Sequence, residues 1–559
     1  GCYAMREGKF RKKPAGTADE LFREAYLLDS QSNPVKAREG YEKALVTDPD
    51  HVKTLCALAV LDNEQGSYPE AEANARKATE KDSGNGAAWY QLGIACLRQG
   101  RFEEARACGA KAAQLDSAAA AALNLVGRAE ARMNHFGEAR AAFEQAAGVH
   151  PGKARNSPYL AALALRYSPG GNAESIARDT DEADATSTLT AVIRGLAINA
   201  PEDCVRRLGM LGQNAGCAAL DAAAFLASLG MYDKAETVLQ RLGDSTDFFQ
   251  NCGPYPDYFL AYCLARQEKD GDAFLDRAPG KPLTRFFPHG TDALEVLQWA
   301  VKARPGDARA QYLLGITLAG LHRIEDAVAC WEKSVELDSN TGQAWRLLGL
   351  HCWKKGNNLK RAESCYRQAL AALPNDQIVL RDLAEVLTAL NKRPEAILLA
   401  EKFPRDVLKR YDLGLWQGRA YLDEKRYDDC ITFFNEARFS NWEGVTAPRD
   451  TWVTALLERG KMRLEAGRNA EALADFQAAL TYPANLGVGR RYKRTDAEIC
   501  YWNGKTLQAL GRAEEARTQW QEGASQLCAA DPPATFITVT PAQDEHVKKC
   551  KEALEALGK

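Results

Sequence analysis

The sequence predicts an all-α solenoid, in which helical hairpins stack on one another along the chain. Three observations predict this fold. Small and large apolar residues recur every 34 positions over the first 151 residues. Gly and Ala stand where an ordinary core would hold bulky side chains, as in AWYQLGIACLRQGRFEEARACGAKAAQLD. The alternation of apolar and polar residues that is typical of β-strands is essentially absent.

The period is clearest between Ala18 and Pro151, which hold four ungapped units. We expect two short helices in each unit, joined by a turn such as Gln99-Gly100-Arg101. Small residues would let the two backbones approach where the helices cross, and one unit alone could not bury its apolar face. The positions that repeat are Leu21, Leu55, Trp89 and Leu123; Ala25, Ala59, Gly93 and Gly127; and Ala37, Ala71, Ala105 and Ala139.

This pattern resembles the tetratricopeptide repeat, a family of helical hairpins that stack into a superhelix and mediate protein–protein interactions. The resemblance returns after Leu294, again with small residues at the crossing positions. The later units span Ala308–Thr341, Gly342–Asp376, Gln377–Arg410, Tyr411–Asn441, Val453–Leu486 and Ala497–Ala530.

The repeats divide the chain into five parts. We expect residues 1–17 to form an extension, residues 18–151 four regular repeats, and residues 152–293 degenerate helical repeats that bend the array. Regular repeats would follow over 294–441, and residues 442–559 would hold repeats with long loops. A helix with Val547, Cys550, Leu554 and Leu557 at helical spacing would cap the last unit.

Part of the C-terminal region resembles more specifically a group of large bacterial repeat proteins. The shared motifs are Trp442-Glu443-Gly444, Tyr482-Pro483 with Asn485-Leu486-Gly487, and Tyr501-Trp502. The resemblance implies a preceding β-rich domain with a carbohydrate-related role, and a chain that begins at Gly1 is what a fragment without that domain would show. Gly487-Val488-Gly489-Arg490 lacks the acidic residue that this group often has in its loop.

Composition excludes some classes of function. Charge is nearly balanced, with 72 Lys and Arg against 75 Asp and Glu, so no global field attracts nucleic acid. The sequence contains no run of 18 apolar residues, so it predicts no membrane span. The 15 cysteines contain no CxxC pair, and we interpret them as reduced core thiols, which favours a cytoplasmic location without establishing it.

No motif for a catalytic nucleophile, a phosphate-binding loop, a metal or a cofactor is present, so the chain is more consistent with a binding protein than with an enzyme. Two loops leave alternatives open. Glu443 and Asp450, close to Trp442 and Trp452, could act on a glycoside or could belong to an ordered loop between repeats. The second loop could bind acidic groups or could simply be solvated, and its basic residues are Arg490, Arg491 and Lys493.

The inner wall of the solenoid is the stronger candidate for a binding site. The positions of the first helix in each unit that face this wall are more basic than the chain as a whole. Trp353 stands out because Trp345 already fills the core position of its unit, and Trp452 likewise falls outside the core positions. Carboxylate-bearing peptides, or sugars stacked on indole, would suit such a wall, although the arginines could also be solubilising charge. The candidate groove residues are Arg309, Tyr312, Arg346, Trp353 and Arg381.

Two functional hypotheses follow. The first is a scaffold that binds a partner segment, which its basic groove suggests is acidic. The second is the helical half of a larger carbohydrate-active protein, whose partner would be its own β-rich domain.

Overall fold

The computed structural model describes residues 4–6, 9–11, 16–115, 120–149, 159–160, 162–163, 189, 192, 208–211, 214–245, 249–284, 286–403, 410–440, 446–489, 496–529, 539–541 and 545–557. Within these residues the chain forms 26 α-helices in hairpin-like pairs, which confirms the predicted all-α fold. The chain divides into two compact units, Gly1–Ala344 and Trp345–Lys559.

The first unit contains four helical hairpins that repeat at equal intervals. Their first helices start at Ala18, Val52, Gly86 and Ala120, at intervals of 34 residues. The eight helices are α1 Ala18–Ser30, α2 Pro34–Thr47, α3 Val52–Glu64, α4 Tyr68–Lys81, α5 Gly86–Arg98, α6 Phe102–Leu115, α7 Ala120–Arg132 and α8 Phe136–Gly148.

The turn inside each of these hairpins contains one residue with a left-handed backbone. These residues are Ser32, Gly66, Gly100 and Asn134, with φ between 57° and 78°. At Gly100 an added Cβ would meet nothing within 4 Å, so the backbone conformation and not the packing favours glycine there.

Close helix crossings explain the small residues of the repeat. A Cβ added to Gly93 on α5 would lie 3.1 Å from the Cβ of Cys108 and 3.3 Å from the carbonyl oxygen of Ala105, both on α6. Ala105 itself has no exposed surface. A larger side chain at either position would therefore push the helices apart.

Helices also form most of the rest of the first unit where the structure describes it. Much of the predicted degenerate segment 152–293, up to residue 213, lies outside the described residues. The later helices of this unit are α9 Ala215–Ser228, α10 Tyr232–Ser245, α11 Tyr255–Ala265, α12 Asp272–Arg277, α13 Gly290–Ala303, α14 Ala308–Gly320 and α15 Ile324–Leu337.

The second unit continues the same hairpin architecture, beginning within α16. Aromatic rings on the second helices pack against glycines on the first helices, as Phe434 does against Gly418 and Trp520 against Gly504. Its helices are α16 Gly342–Lys354, α17 Leu359–Ala372, α18 Gln377–Ala389, α19 Arg393–Glu401, α20 Tyr411–Asp423, α21 Tyr427–Glu436, α22 Ala447–Glu465, α23 Asn469–Ala479, α24 Ala497–Ala509, α25 Ala513–Ala524 and α26 Glu545–Leu557.

The predicted capping helix corresponds to α26. Its Cys550 is fully buried in a cluster with Trp520 and Leu507, and Leu554 packs against the same cluster. The apolar spacing in the last residues of the sequence thus covers the end of the last hairpin.

The β-structure within the described residues consists of four strands of three residues each. They form two antiparallel pairs, in which Ala4–Arg6 (β1) pairs with Lys9–Arg11 (β2) and Leu527–Ala529 (β3) with Val539–Pro541 (β4). Both pairs lie outside the helical hairpins in sequence. None of the helices in the described ranges has the length and apolar character needed to cross a membrane.

Candidate functional site

The candidate groove of the second unit is built on α16, α18 and α20, the first helices of three successive hairpins. Arg346 is the fifth residue of α16, and Arg381 is the fifth residue of α18. Because the repeat places equivalent residues on equivalent faces, the two arginines occupy corresponding positions on neighbouring helices.

A buried aspartate holds these two arginines together. Asp382 has no exposed surface, and its Oδ2 accepts a hydrogen bond from Nε of Arg346 at 3.1 Å. Its Oδ1 accepts hydrogen bonds from Arg381, from Nε at 3.0 Å and also from Nη2. A buried carboxylate needs such partners, since an unpaired charge in an apolar interior is strongly unfavourable.

Asp412 on α20 extends this network of ion pairs to the third helix. This carboxylate accepts from Nη1 of Arg381 at 2.9 Å and from Nη2 of Arg410 at 2.7 Å. The hydrogen bond from Arg410 is the main reason that the pKa of Asp412 falls to about 2. Asp412 is therefore ionised at neutral pH, and it fixes the direction of both guanidinium groups.

Arg346 keeps hydrogen-bonding capacity that the protein does not use. Its Nε bonds to Asp382, whereas its two Nη groups have no partner among the described residues. The side chain is 28% exposed, so these donors can reach a ligand. One N–H from each Nη group of a guanidinium can donate to the two oxygens of a carboxylate.

Trp353 lies on the same helix as Arg346, two turns further along, so it faces in a similar direction. The indole is half-buried and packs against a core cluster that contains Cys352 and Leu383. Nζ of Lys354 lies 3.4 Å from its ring centroid. The expectation that packing does not need this tryptophan is therefore corrected: Trp353 contributes to the core and also presents part of its surface.

The other two predicted groove residues belong to the first unit. Arg309 is half-buried on α14, and its Nη1 is buried without a hydrogen-bond partner among the described residues. Tyr312 is only 4% exposed, so it offers a ligand very little surface. The structure brings Arg346 and Arg381 together through Asp382, and Trp353 shares a helix with Arg346.

The predicted loop sites fall mainly outside the described residues. Trp442, Glu443, Arg490, Arg491 and Lys493 all lie there.

Trp452, one of the tryptophans that the core positions left unexplained, is a packing residue. It is 4% exposed, and its Nε1 donates to Oδ1 of Asn435 at 3.1 Å. The reason is that α22 begins at Ala447, six residues before the unit predicted at Val453, so Trp452 is already on the buried face of a helix.

Sequence reasoning missed Asp382 and Asp412. Both are acidic residues on first helices, and Asp382 interrupts the apolar face that includes Leu380 and Leu383. The sequence did offer a signal for Asp382, because the repeat predicts that this face is buried and an arginine stands next to the acidic residue. Within the described part of the chain, no group of His, Cys, Asp or Glu side chains is placed to hold a metal ion.

Comparison with known proteins identifies the repeats. The tetratricopeptide repeat family matches residues 56–122, 289–321, 315–376 and 497–522. The chain is also similar to a solved structure from a functional characterization of Pseudomonas aeruginosa PilF, with 21% identity, a TM-score of 0.30, and coverage of 35% of this chain and 90% of that one. A structure of Naa15/Naa10 bound to HypK-THB is similar at 14% identity and a TM-score of 0.24, covering 97% of this chain and 96% of that one. The chain thus contains tetratricopeptide repeats in both of its units, within an all-helical solenoid fold.

Proposed function

We propose that this protein is an interaction scaffold whose second unit binds an acidic segment of a partner protein across α16, α18 and α20. Tetratricopeptide repeats support a role in protein interaction. The observation behind an acidic partner is that Nε of Arg346 is held by a buried carboxylate, whereas its two Nη groups have no partner among the described residues and the side chain is 28% exposed.

Local charge supports an acidic ligand. The guanidinium groups of Arg346, Arg381 and Arg410 surround two carboxylates, those of Asp382 and Asp412, which leaves one positive charge in excess. Since the two aspartates already orient these groups, a ligand carboxylate would meet donors whose conformational freedom is already restricted. Preorganised donors lose less entropy on binding than free side chains do.

The exposed part of Trp353 adds an apolar contact next to these charges. Lys354 covers the ring at a close distance, so a ligand would reach only the remaining indole surface. An acidic segment with an apolar residue about two helical turns from its carboxylate would use both features.

The second hypothesis, a helical half of a larger carbohydrate-active protein, depends on the loop of Trp442 and Glu443 and on a separate β-rich domain. No contact among the described residues favours it over the first hypothesis. A glycan array probed with the same protein preparation tests it directly.

The proposal is tested by an array of acidic peptides probed with the wild type and with Arg346→Gln. The variant should weaken binding by about tenfold or more, because a charge-assisted pair of hydrogen bonds is lost. Arg512→Gln is the matched control, since Arg512 is a partly exposed arginine of the same unit, directly before α25, and is paired with Glu515. Binding should also weaken as salt is raised.

Thermal unfolding separates loss of binding from loss of fold. Arg346→Gln leaves Asp382 paired with Arg381, so the variant should keep a cooperative transition. Equal peptide binding by the wild type and a folded Arg346→Gln protein would refute the proposed groove.

A further inference from the structure

A second candidate site lies in the first unit, in a pocket of about 390 Å³. Its wall includes Arg98 at the end of α5, Arg128 on α7, Phe225 on α9 and the segment around Pro288 that leads into α13. Helices from the regular repeats thus share this pocket with helices that lie within, or begin within, the predicted degenerate segment 152–293.

One arginine of the pocket is neutralised inside the protein. Nη1 of Arg98 donates to Oδ1 of Asp292 at 2.5 Å, and the Arg98 side chain is 17% exposed. Burial alone would lower the pKa of Arg98, but Asp292 reverses this and raises it. Asp292 therefore compensates the charge of Arg98.

The second arginine of the pocket has no hydrogen-bonded counter-ion among the described residues. Among the residues that the structure describes, the buried Nε of Arg128 has no hydrogen-bond partner and the side chain forms no ion pair. Burial lowers the pKa of Arg128 and the positive charge of Arg98 lowers it further, and the opposing charge of Asp292 does not reverse this. A buried N–H donor without an acceptor is costly unless an anion or other acceptor reaches it.

Aromatic side chains form the apolar part of the pocket. Tyr159 stacks on Phe143 with ring centroids 4.7 Å apart, and Phe225 lies 5.2 Å from Tyr159. Tyr159, Phe225 and Tyr255 all line the pocket. Asp221 and His289 also line the pocket, and Oδ1 of Asp221 lies 3.9 Å from Nε2 of His289. A ligand that fits this wall has an apolar body and an anionic group that can pair with Arg128.

We propose that this pocket binds a small organic carboxylate, with its carboxylate on Arg128 and its apolar body against Tyr159 and Phe225. Planar carboxylate and guanidinium groups pair through two parallel hydrogen bonds. Asp292 is hydrogen-bonded to Arg98 and acts on Arg128 only through its charge, so the ligand carboxylate supplies the hydrogen-bond acceptor that Arg128 lacks. This site is independent of the groove proposed for the second unit.

Fluorine NMR titration of the full chain with 3-(4-fluorophenyl)propionate, and with the corresponding amide, tests this proposal. The wild type should bind the acid and should bind the amide at least about tenfold more weakly, because the amide lacks the charge that Arg128 recognises. Arg128→Gln should remove the preference for the acid. Arg140→Gln, which removes an exposed arginine on α8, should bind the acid like the wild type.

A short peptide that ends in phenylalanine, with either a free or an amidated C-terminus, distinguishes a chain end from a free small molecule. Displacement of the fluorinated acid by the free-carboxyl peptide alone would show that the carboxylate site accepts a chain end. Failure of both peptides, with the acid still bound through Arg128, would restrict the site to small carboxylates.

Three results would overturn the proposal. These are no binding of the acid by the wild type, equal binding of acid and amide, or unchanged binding by a folded Arg128→Gln protein. Because the acid–amide comparison uses the wild type, it stays decisive even if Arg128→Gln does not fold.

Discussion

At the scale of single residues, the crossing of each hairpin is set by a pair of positions 16 residues apart. Glycine on the first helix accompanies a large ring on the second at Gly127 and Phe143, Gly418 and Phe434, Gly460 and Phe476, and Gly504 and Trp520. A Cβ at any of these glycines would lie within 2.6 Å of a ring atom. The absence of a side chain on one helix makes the room that the aromatic ring fills.

Gly504→Ala should therefore destabilise the second unit. The new Cβ would lie 2.3 Å from Nε1 of Trp520, and a rigid, fully packed indole cannot move away cheaply. We expect a loss of roughly 1–3 kcal/mol in the free energy of unfolding, measured by urea denaturation.

Two controls define this result. Gly137→Ala on α8 meets nothing within 4 Å and should be neutral or stabilising. Combining Gly504→Ala with Trp520→Leu should cost less than the sum of the single changes, because removing the indole relieves the overlap. Strict additivity would argue against a steric origin.

Asp412 gives a pH dependence at the same scale. Its folded-state pKa of about 2 lies below its ordinary value of 3.8, so its ionised form stabilises the fold. This contribution is complete above about pH 4 and is lost as the pH falls towards the folded-state value. Since Asp412 is partly exposed, we expect no more than about 1 kcal/mol.

The measurement is thermal unfolding of the wild type and Asp412→Asn at about pH 6 and about pH 3. The wild type should be the more stable protein at the higher pH, and the difference should shrink at the lower pH. A difference that stays constant, or grows on acidification, would contradict the assigned ion pairs.

At the scale of elements, the sequence pattern predicted the hairpins well because their determinants are local. Apolar spacing, small crossing residues and a left-handed turn all recur within one 34-residue unit, as Gly93 and Gly100 illustrate. The start of α22 was predicted too late, since the residues before Val453 follow no repeat position but still continue the helix. Helix ends outside the period depend on contacts that one repeat does not encode.

Removal of α26 should loosen the last hairpin and leave the rest unchanged. In a chain that ends before Glu545, Trp520 would lose the cover of Cys550 and Leu554. Amide hydrogen exchange should become faster in α24 and α25 and stay the same in α1 to α8, because coupling in repeat arrays runs between neighbours.

Lys548→Ala is the control for this truncation, since its side chain is 80% exposed on the same helix. It should leave exchange in α24 and α25 as in the wild type. Faster exchange spread evenly over the whole chain after truncation would show that the array does not behave as locally coupled repeats.

At the scale of the whole molecule, the fold could be predicted and most of the binding chemistry could not. The basic character of Arg346 and Arg381 was visible in the sequence, but their dependence on Asp382 was not, because 36 residues separate Arg346 from it. The pocket of the first unit was harder to predict from the sequence, because Arg98 and Asp292 are 194 residues apart. A repeat period specifies contacts within and between neighbouring units, whereas these sites arise from side chains that break the period.

The central claim is that α16, α18 and α20 form the binding face for an acidic partner segment. Hydrogen–deuterium exchange of the full chain, with and without the tightest acidic peptide from the array, tests it most directly. We predict slower exchange in these three helices, and we predict that Arg346→Gln abolishes this protection at the same peptide concentration. Protection that is confined to other parts of the chain, with no change in α16, α18 and α20, would contradict the account.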